Sequence, residues 1–296
     1  MISQNEIKQY VSDILKEMSA GGTLNLSGSE PKSVKRPNEP SHQDCLPDIL
    51  NIDLSEVINV PNPHNLEALK AIKKLTPARI GVGRAGTRYL TETMLRFRAD
   101  HALAMDAVFT DVPEDWIKAN NLPKFKTKCE NKDSFLTRPD LGRRFDKEEA
   151  DKIKNLVGSQ NKVVAFVADG LSTTAVTANA IDALRAMTEG LKSSSITPSP
   201  PFFVKYGRVG SEDSISQITE AEVVVCFIGE RPGLITAESM SAYLCYKAYL
   251  DIPESKRTVV SNIHKGGTPA VEAGSYVSDL VKMMLEKKAS GLDLKL

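Results

Sequence analysis

The sequence predicts an α/β protein whose C-terminal half is a doubly wound, mostly parallel sheet preceded by a helical N-terminal region. Four β-branched apolar runs carry the first part of this reading: KVVAFVADG (162–170), PFFVKYGRV (201–209), AEVVVCFIGE (221–230) and RTVVSNIH (257–264). Helical pattern separates them, as in TAVTANAIDALRAMTEGL (174–191) and ESMSAYLCYKAYL (238–250), and VEAGSYVSDLVKMMLEKK (271–288) follows the last. Near-continuous apolar strands alternating with helices imply a sheet covered on both faces, the Rossmann-like arrangement. The α/β domain is therefore expected over 156–296.

Ahead of it, residues 49–155 read as helical. PHNLEALKAIKKL (63–75) sets Leu66, Leu69, Ile72 and Leu75 on one face, and TRYLTETMLRFRADHALAMDAVF (87–109) continues the pattern. PEDWIKANN (113–121) starts with Pro and acids, as helices do. KFKTKCENKDSFLTRPDLGRR (124–144) is polar and reads as irregular, with a turn at Pro139-Asp140.

At the other end, residues 1–20 form a short amphipathic helix. Ile7, Tyr10, Val11, Ile14, Leu15 and Met18 make its apolar stripe. Residues 21–48, rich in Gly, Ser, Pro and charge, are expected to be a flexible linker. So short a helix is marginal alone and needs a partner for its stripe. It either docks on its own core or tethers the chain to something else, and the length of the linker favours the tether.

Composition narrows the function classes. Lys plus Arg (38) equals Asp plus Glu (38), so no basic excess supports binding to nucleic acid or to an anionic membrane. No apolar stretch approaches the roughly 20 residues that span a bilayer, and the first residues lack a secretory pattern. Cys45, Cys129, Cys226 and Cys245 are scattered, with no CxxC pair and no His at zinc spacing. They read as small buried hydrophobes in a reducing, cytoplasmic setting. No metal site is expected.

In open α/β sheets, ligands sit beyond the carboxyl ends of the strands. The loops there are ADGLSTTA (168–175), YGRVGSED (206–213), GERPGLITAES (229–239) and SNIHKGGTP (261–269). Each joins Gly to polar residues directly after an apolar strand, so backbone N–H groups can approach a ligand. Four such loops on one rim suit a large polar ligand. Catalytic constellations are missing: there is no HExxH, and Ser172 in DGLST lacks the Gly of a nucleophile elbow. No catalytic residue is assigned. GVGRAG (81–86) fits G-x-G-x-x-G, with Asp106 at a suitable distance, but a helix and a Pro-containing turn precede it rather than a strand. A nicotinamide-dependent oxidoreductase is thus a rival reading, and a purely architectural subunit is another.

IGVGRAGTRYLTETMLRFRADHALAMDAVF, LTRPDLGRR, VADGLSTTAV, PFFVKYGRV, IGERPGL and VVSNIHKGGTP occur in that order from roughly residue 50 onward. This series resembles the signature segments of the ethanolamine ammonia-lyase small subunit. The resemblance implies adenosylcobalamin-dependent conversion of ethanolamine to acetaldehyde and ammonia. It also implies a large subunit that holds the substrate and the radical chemistry, while the α/β loops of this chain cover the other side of the cobalamin. By the family's cobalamin contacts, Val209, Glu230 and Val259 carry over as cofactor-binding residues, the valines through backbone groups. The string Asn262-Ile263-His264-Lys265-Gly266-Gly267 departs from the D-x-H-x-x-G signature of cobalamin proteins whose His replaces the lower base. His264 is therefore not expected to ligate cobalt. The family is housed in ethanolamine-utilisation microcompartments, so residues 1–20 read as the segment that attaches the chain to the shell.

Overall fold

Apolar period, caps and glycines place the elements of this chain, whose computed structural model describes residues 48–158 and 161–295. The helix expected at 1–20 and the linker up to residue 47 lie outside the described residues. Helix α1 (Leu66–Lys74) starts where the Asn65 side chain accepts the Ala68 N–H. Strands β1 (Arg84–Ala85) and β2 (Arg88–Tyr89) pair antiparallel, Ala85 opposite Arg88, and α2 (Thr91–Phe109) begins only after them.

GVGRAG is thus the approach to a tight hairpin. Gly81, Gly83 and Gly86 all have positive φ, and a Cβ on Gly83 would meet the Asn59 carbonyl oxygen at 2.2 Å. Gly83 lets the turn lie against the backbone at Asn59, and the positive φ of Gly81 and Gly86 shapes its bends. No strand leads into them, no helix starts from them, and Asp106 lies within α2. The motif thus lacks the strand–turn–helix setting of a dinucleotide fingerprint, as its sequence context indicates.

Helix α3 (Glu114–Ala119) follows Pro113, as expected. The stretch read as irregular then yields strand β3 (Lys124–Lys126) and helix α4 (Lys132–Thr137), and helix α5 (Lys147–Val157) follows it. Strand β3 was invisible because it is three residues long with one inward apolar side chain, Phe125. Beyond it come β4 (Val163–Ala168), α6 (Thr173–Lys192), β5 (Phe202–Lys205), α7 (Ser211–Thr219) and β6 (Val223–Gly229). Strands β7 (Met240–Tyr246) and β8 (Thr258–Ile263) and helix α8 (Ala270–Lys287) complete the order.

The main sheet runs β3-β5-β4-β6-β7-β8. Strands β3, β5, β4 and β6 are parallel; β7 is antiparallel to both neighbours, which leaves β8 pointing along β6. Segment 238–250, expected as a helix, is therefore a strand. Its side chains alternate: Met240, Ala242 and Leu244 enter one core, while Tyr243 packs against the other. A period of two won over a tolerable helical pattern because buried β6 offers a full ladder of backbone partners.

The same alternation assigns the two faces. Val163, Ala165, Val167, Val225 and Phe227 face α6 and α8, with Ala183, Met187, Val277 and Met284 between the layers. Val164, Phe166, Val204 and Cys226 face α5 and α7, meeting Ile153, Val157 and Ile215. Fully burying one such side chain contributes about 1.5–3 kcal/mol, so this two-sided core dominates the stability of the sheet. Cys129, Cys226 and Cys245 are buried free thiols. No helix among the described residues is long and apolar enough to cross a membrane.

Candidate functional site

Strand register decides whether the loops share a rim. Ala168 at the end of β4 lies opposite Ile228 and Val204, Gly229 opposite Met240, and Met240 opposite Ile263. The ends of β4, β5, β6 and β8 therefore line one edge, and the four Gly-containing loops all leave from it.

Two of those loops close on each other. Asp169, fully buried, accepts N–H bonds from Gly170 (2.9 Å), Tyr206 (2.8 Å) and Gly207 (3.0 Å), so one carboxyl ties the ends of β4 and β5 together. Burial pushes this carboxyl up to about 6, against the opposing pull of the three N–H groups. Ser172 is the N-cap of α6, accepting from Ala175 N at 3.1 Å, and its hydroxyl donates to the Ala237 carbonyl. Thr174 donates to the same carbonyl at 2.9 Å. The polar groups of ADGLST thus hold the rim together rather than lining an open site.

The second loop rests on LTRPDLGRR. Arg208 N donates to Gly142 O (2.9 Å), and the Arg208 guanidinium donates to Phe135 O (2.7 Å) while stacking 4.2 Å from the Phe135 ring. Ser214 bonds Arg143 O at 2.7 Å. These contacts fix Val209 at the mouth of the loop, partly buried against the α5–α7 core.

Glu230 and Val259 sit on that same face of the sheet. Val259 lies opposite Tyr243 in the β7–β8 ladder, and opposed residues share a face. The Tyr243 phenol donates to Glu230 Oε1 at 2.9 Å. Burial and the adjacent Glu230 carboxylate push the phenol upward, so it remains a donor. Val259 is 44% exposed on β8, an edge strand of this sheet, where alternate backbone groups point away from the ladder. Val209, Glu230 and Val259 are thus brought to one side of the sheet.

Beneath them lies a buried ion cluster. Arg257 reaches Glu212 (2.8 Å), Asp213 (2.7 Å) and Glu254 (2.9 Å). Burial pushes Glu212 up to about 8 in spite of Arg257, with Asp213 adding to the rise. The Ser211 and Ser241 hydroxyls and Glu212 Oε1 are buried without a hydrogen-bond partner. In the fourth loop His264 holds its own turn: Gly266 N–H donates to Nδ1 (3.1 Å), and Nε2 lies 2.8 Å from Asn262 Oδ1.

A family model described as ethanolamine ammonia-lyase light chain matches residues 66–295. The ethanolamine ammonia-lyase small subunit of Clostridium tetani is 53% identical over 296 residues, covering 100% of both chains. The chain belongs to the ethanolamine ammonia-lyase light-chain family. The corresponding small subunit of Fusobacterium nucleatum is 50% identical over 297 residues and 100% of both chains. That of Listeria monocytogenes is 48% identical over 295 residues, 99% of this chain and 100% of the relative.

In this ethanolamine ammonia-lyase light chain, sequence reasoning missed three structural anchors of the rim. In the sequence Asp169 is one polar residue of a Gly-containing loop, although an Asp between a buried strand and a Gly is well placed to cap neighbouring backbone. Tyr243 was hidden by the helical reading of its segment. Arg257 had no signal: its three acidic partners are gathered from α7 and the turn before β8 by the fold alone.

Proposed function

We propose that this chain supplies one side of the adenosylcobalamin site of ethanolamine ammonia-lyase, while a large subunit holds the substrate and the remainder of the cofactor. As a light chain of that family it serves a carbon–nitrogen lyase, converting ethanolamine to acetaldehyde and ammonia. Adenosylcobalamin supplies the radical chemistry when bound; the protein contributes binding and orientation. The observation that carries the reading is the placement of Val209, Glu230 and Val259 on one face, beside an edge strand whose backbone is available for pairing.

The donor set fits a corrin. Its rim carries carboxamides, which both donate and accept hydrogen bonds. Glu230 offers a pure acceptor, and the Val209 N–H is a donor, since the Val209 carbonyl already accepts the Glu212 N–H at 3.0 Å; the β8 backbone at Val259 has both kinds of group. Buried hydroxyls without partners, Ser211 and Ser241, lie in the same region and suit a site completed by a polar ligand. His264, whose two ring nitrogens are engaged in its own turn, would not be a ligand to the cobalt.

Residues that α2 leaves exposed, Met94, Leu95, Leu103, Met105 and Phe109, support work in an assembly. Residues 1–20 attach the chain to the shell of a microcompartment in the cytoplasm. Deleting them is expected to leave lyase activity intact and to abolish co-purification with shells, and retained co-purification would sink the tether.

The central test is Glu230→Ala in the assembled enzyme. It is expected to weaken cobalamin binding about tenfold, the scale of a lost hydrogen bond to a charged group, with assembly unchanged. Unchanged cobalamin affinity would refute the site.

A further inference from the structure

We infer that Tyr243 is a positioning residue for Glu230, holding its carboxylate as a fixed acceptor for the amide N–H groups on the edge of the corrin. The inference rests on the cobalamin reading above and adds to it the group that shapes the contact and the ligand chemistry it selects.

Glu230 is the first residue beyond β6, its N–H bonded to Ser239 O at 3.0 Å, so its backbone is anchored while its long side chain is partly exposed. A free Glu there would sample many rotamers, and ordering it on binding would cost affinity. The Tyr243 hydroxyl removes that freedom by donating to Oε1 at 2.9 Å. Tyr243 is itself held: it lies opposite Cys226 in β6 and Val259 in β8, and its ring packs against the α5–α7 core. A rigid three-strand platform thus sets the direction of one carboxylate. One oxygen takes the phenol, and the remaining lone pairs are left for a ligand.

That arrangement has a chemical preference. A carboxylate accepts and cannot donate. It pairs with the NH2 of a carboxamide and repels a carboxylate in the same place. The site therefore favours a corrinoid whose side chains are amidated over one in which a contacting carboxamide has been hydrolysed to the acid.

The test is a double-mutant cycle in the enzyme assembled with its large subunit, using cyanocobalamin as the binding probe and adenosylcobalamin for kinetics. Tyr243→Phe keeps the ring and removes only the hydroxyl. It is expected to weaken cyanocobalamin binding about fivefold and to raise the apparent KM for adenosylcobalamin, with kcat at saturation unchanged. In a Glu230→Ala background the same change is expected to do nothing further. Equal losses in both backgrounds would make Tyr243 merely structural, and no loss in either would dismiss it; both results overturn the inference while leaving the cobalamin reading in place. If Glu230→Ala alone binds cyanocobalamin normally, the cobalamin reading itself falls, and the inference with it. Cobalamin monocarboxylates that bind as tightly as cyanocobalamin would overturn the stated preference.

Discussion

Gly170 and Gly229 lie so close across the carboxyl edge of the sheet that a Cβ on Gly170 would sit 2.3 Å from the Gly229 carbonyl oxygen. The reverse is as tight, since a Cβ on Gly229 would sit 2.1 Å from Ser172 O. Both obstacles are backbone, and Leu171 N donates to Gly229 O at 2.9 Å, so the two loops cannot part cheaply. Gly170 also has φ of +57°, which disfavours any side chain. Either glycine replaced by Ala is expected to destabilise the chain by about 3 kcal/mol or more and to displace the start of the 230–239 loop. Urea denaturation measures this, and a loss under about 1 kcal/mol would show that the edge is adaptable.

Asp169 gives that edge a pH dependence. In the fold, burial raises its carboxyl from the ordinary 3.8 to about 6, so the folded chain keeps this proton after the unfolded chain has released it. The contribution of Asp169 to stability is therefore full below about pH 4 and falls as pH rises through 6, by about 3 kcal/mol for a shift of this size. An Asn cannot titrate, and its amide NH2 faces backbone donors. Asp169→Asn is thus expected to be less stable than wild type, by a margin that is widest near pH 4 and narrows toward pH 7. A margin that stays constant or widens with pH would contradict the burial argument.

The sheet was legible where burial is complete on both faces. Strands β4, β5 and β6 announce themselves as apolar runs, while the edge strand β8 shows only the short Val259-Val260 pair and is largely exposed. Strand β7 imitates a helix in sequence because Met240, Leu244 and Ala248 in MSAYLCYKA (240–248) fall at four-residue spacing. Only its place beside β6 settles which period governs. Strand β3 left no trace, since Lys124 and Lys126 point outward and a single Phe makes no pattern. The rim loops were visible as Gly with polar residues. Which of them face a ligand and which bind each other was not visible, because residues far apart in the chain decide it. Asp169 reaching Tyr206 and Gly207 is the plainest case.

Arg257 and Glu212 are expected to respond very differently to substitution. Removing the cation in Arg257→Met leaves the Asp213 carboxylate buried without compensation, a change worth about 3–5 kcal/mol. Glu212 is pushed up to about 8 and so holds its proton near neutrality, where Glu212→Gln imitates it. That variant is expected to match wild type near pH 4.5 and to be the more stable of the two at pH 7. Because the folded state keeps this proton longer than the unfolded state, wild type loses stability between roughly pH 4.5 and 8 relative to Glu212→Gln. Denaturation midpoints of both variants across that range check the ordering. Equal losses at pH 7 would show that Glu212 is ionised in the fold.

His264 provides the spectroscopic prediction. Both ring nitrogens serve the turn after β8, Nδ1 accepting from Gly266 N–H at 3.1 Å and Nε2 meeting Asn262 Oδ1 at 2.8 Å. A Gly267 Cβ would lie 2.3 Å from Asn262 O, so the turn has little room to release the ring. Swinging the imidazole onto cobalt would break both contacts, at about 1 kcal/mol each, and leave the tight turn without its brace. In the reduced holoenzyme, nitrogen superhyperfine splitting is therefore expected from the nucleotide base alone. It should be unchanged when the histidines of this chain carry nitrogen-15 and unchanged in His264→Ala, which is expected only to loosen the turn. Splitting that shifts with the labelled histidines would place a protein imidazole on the metal.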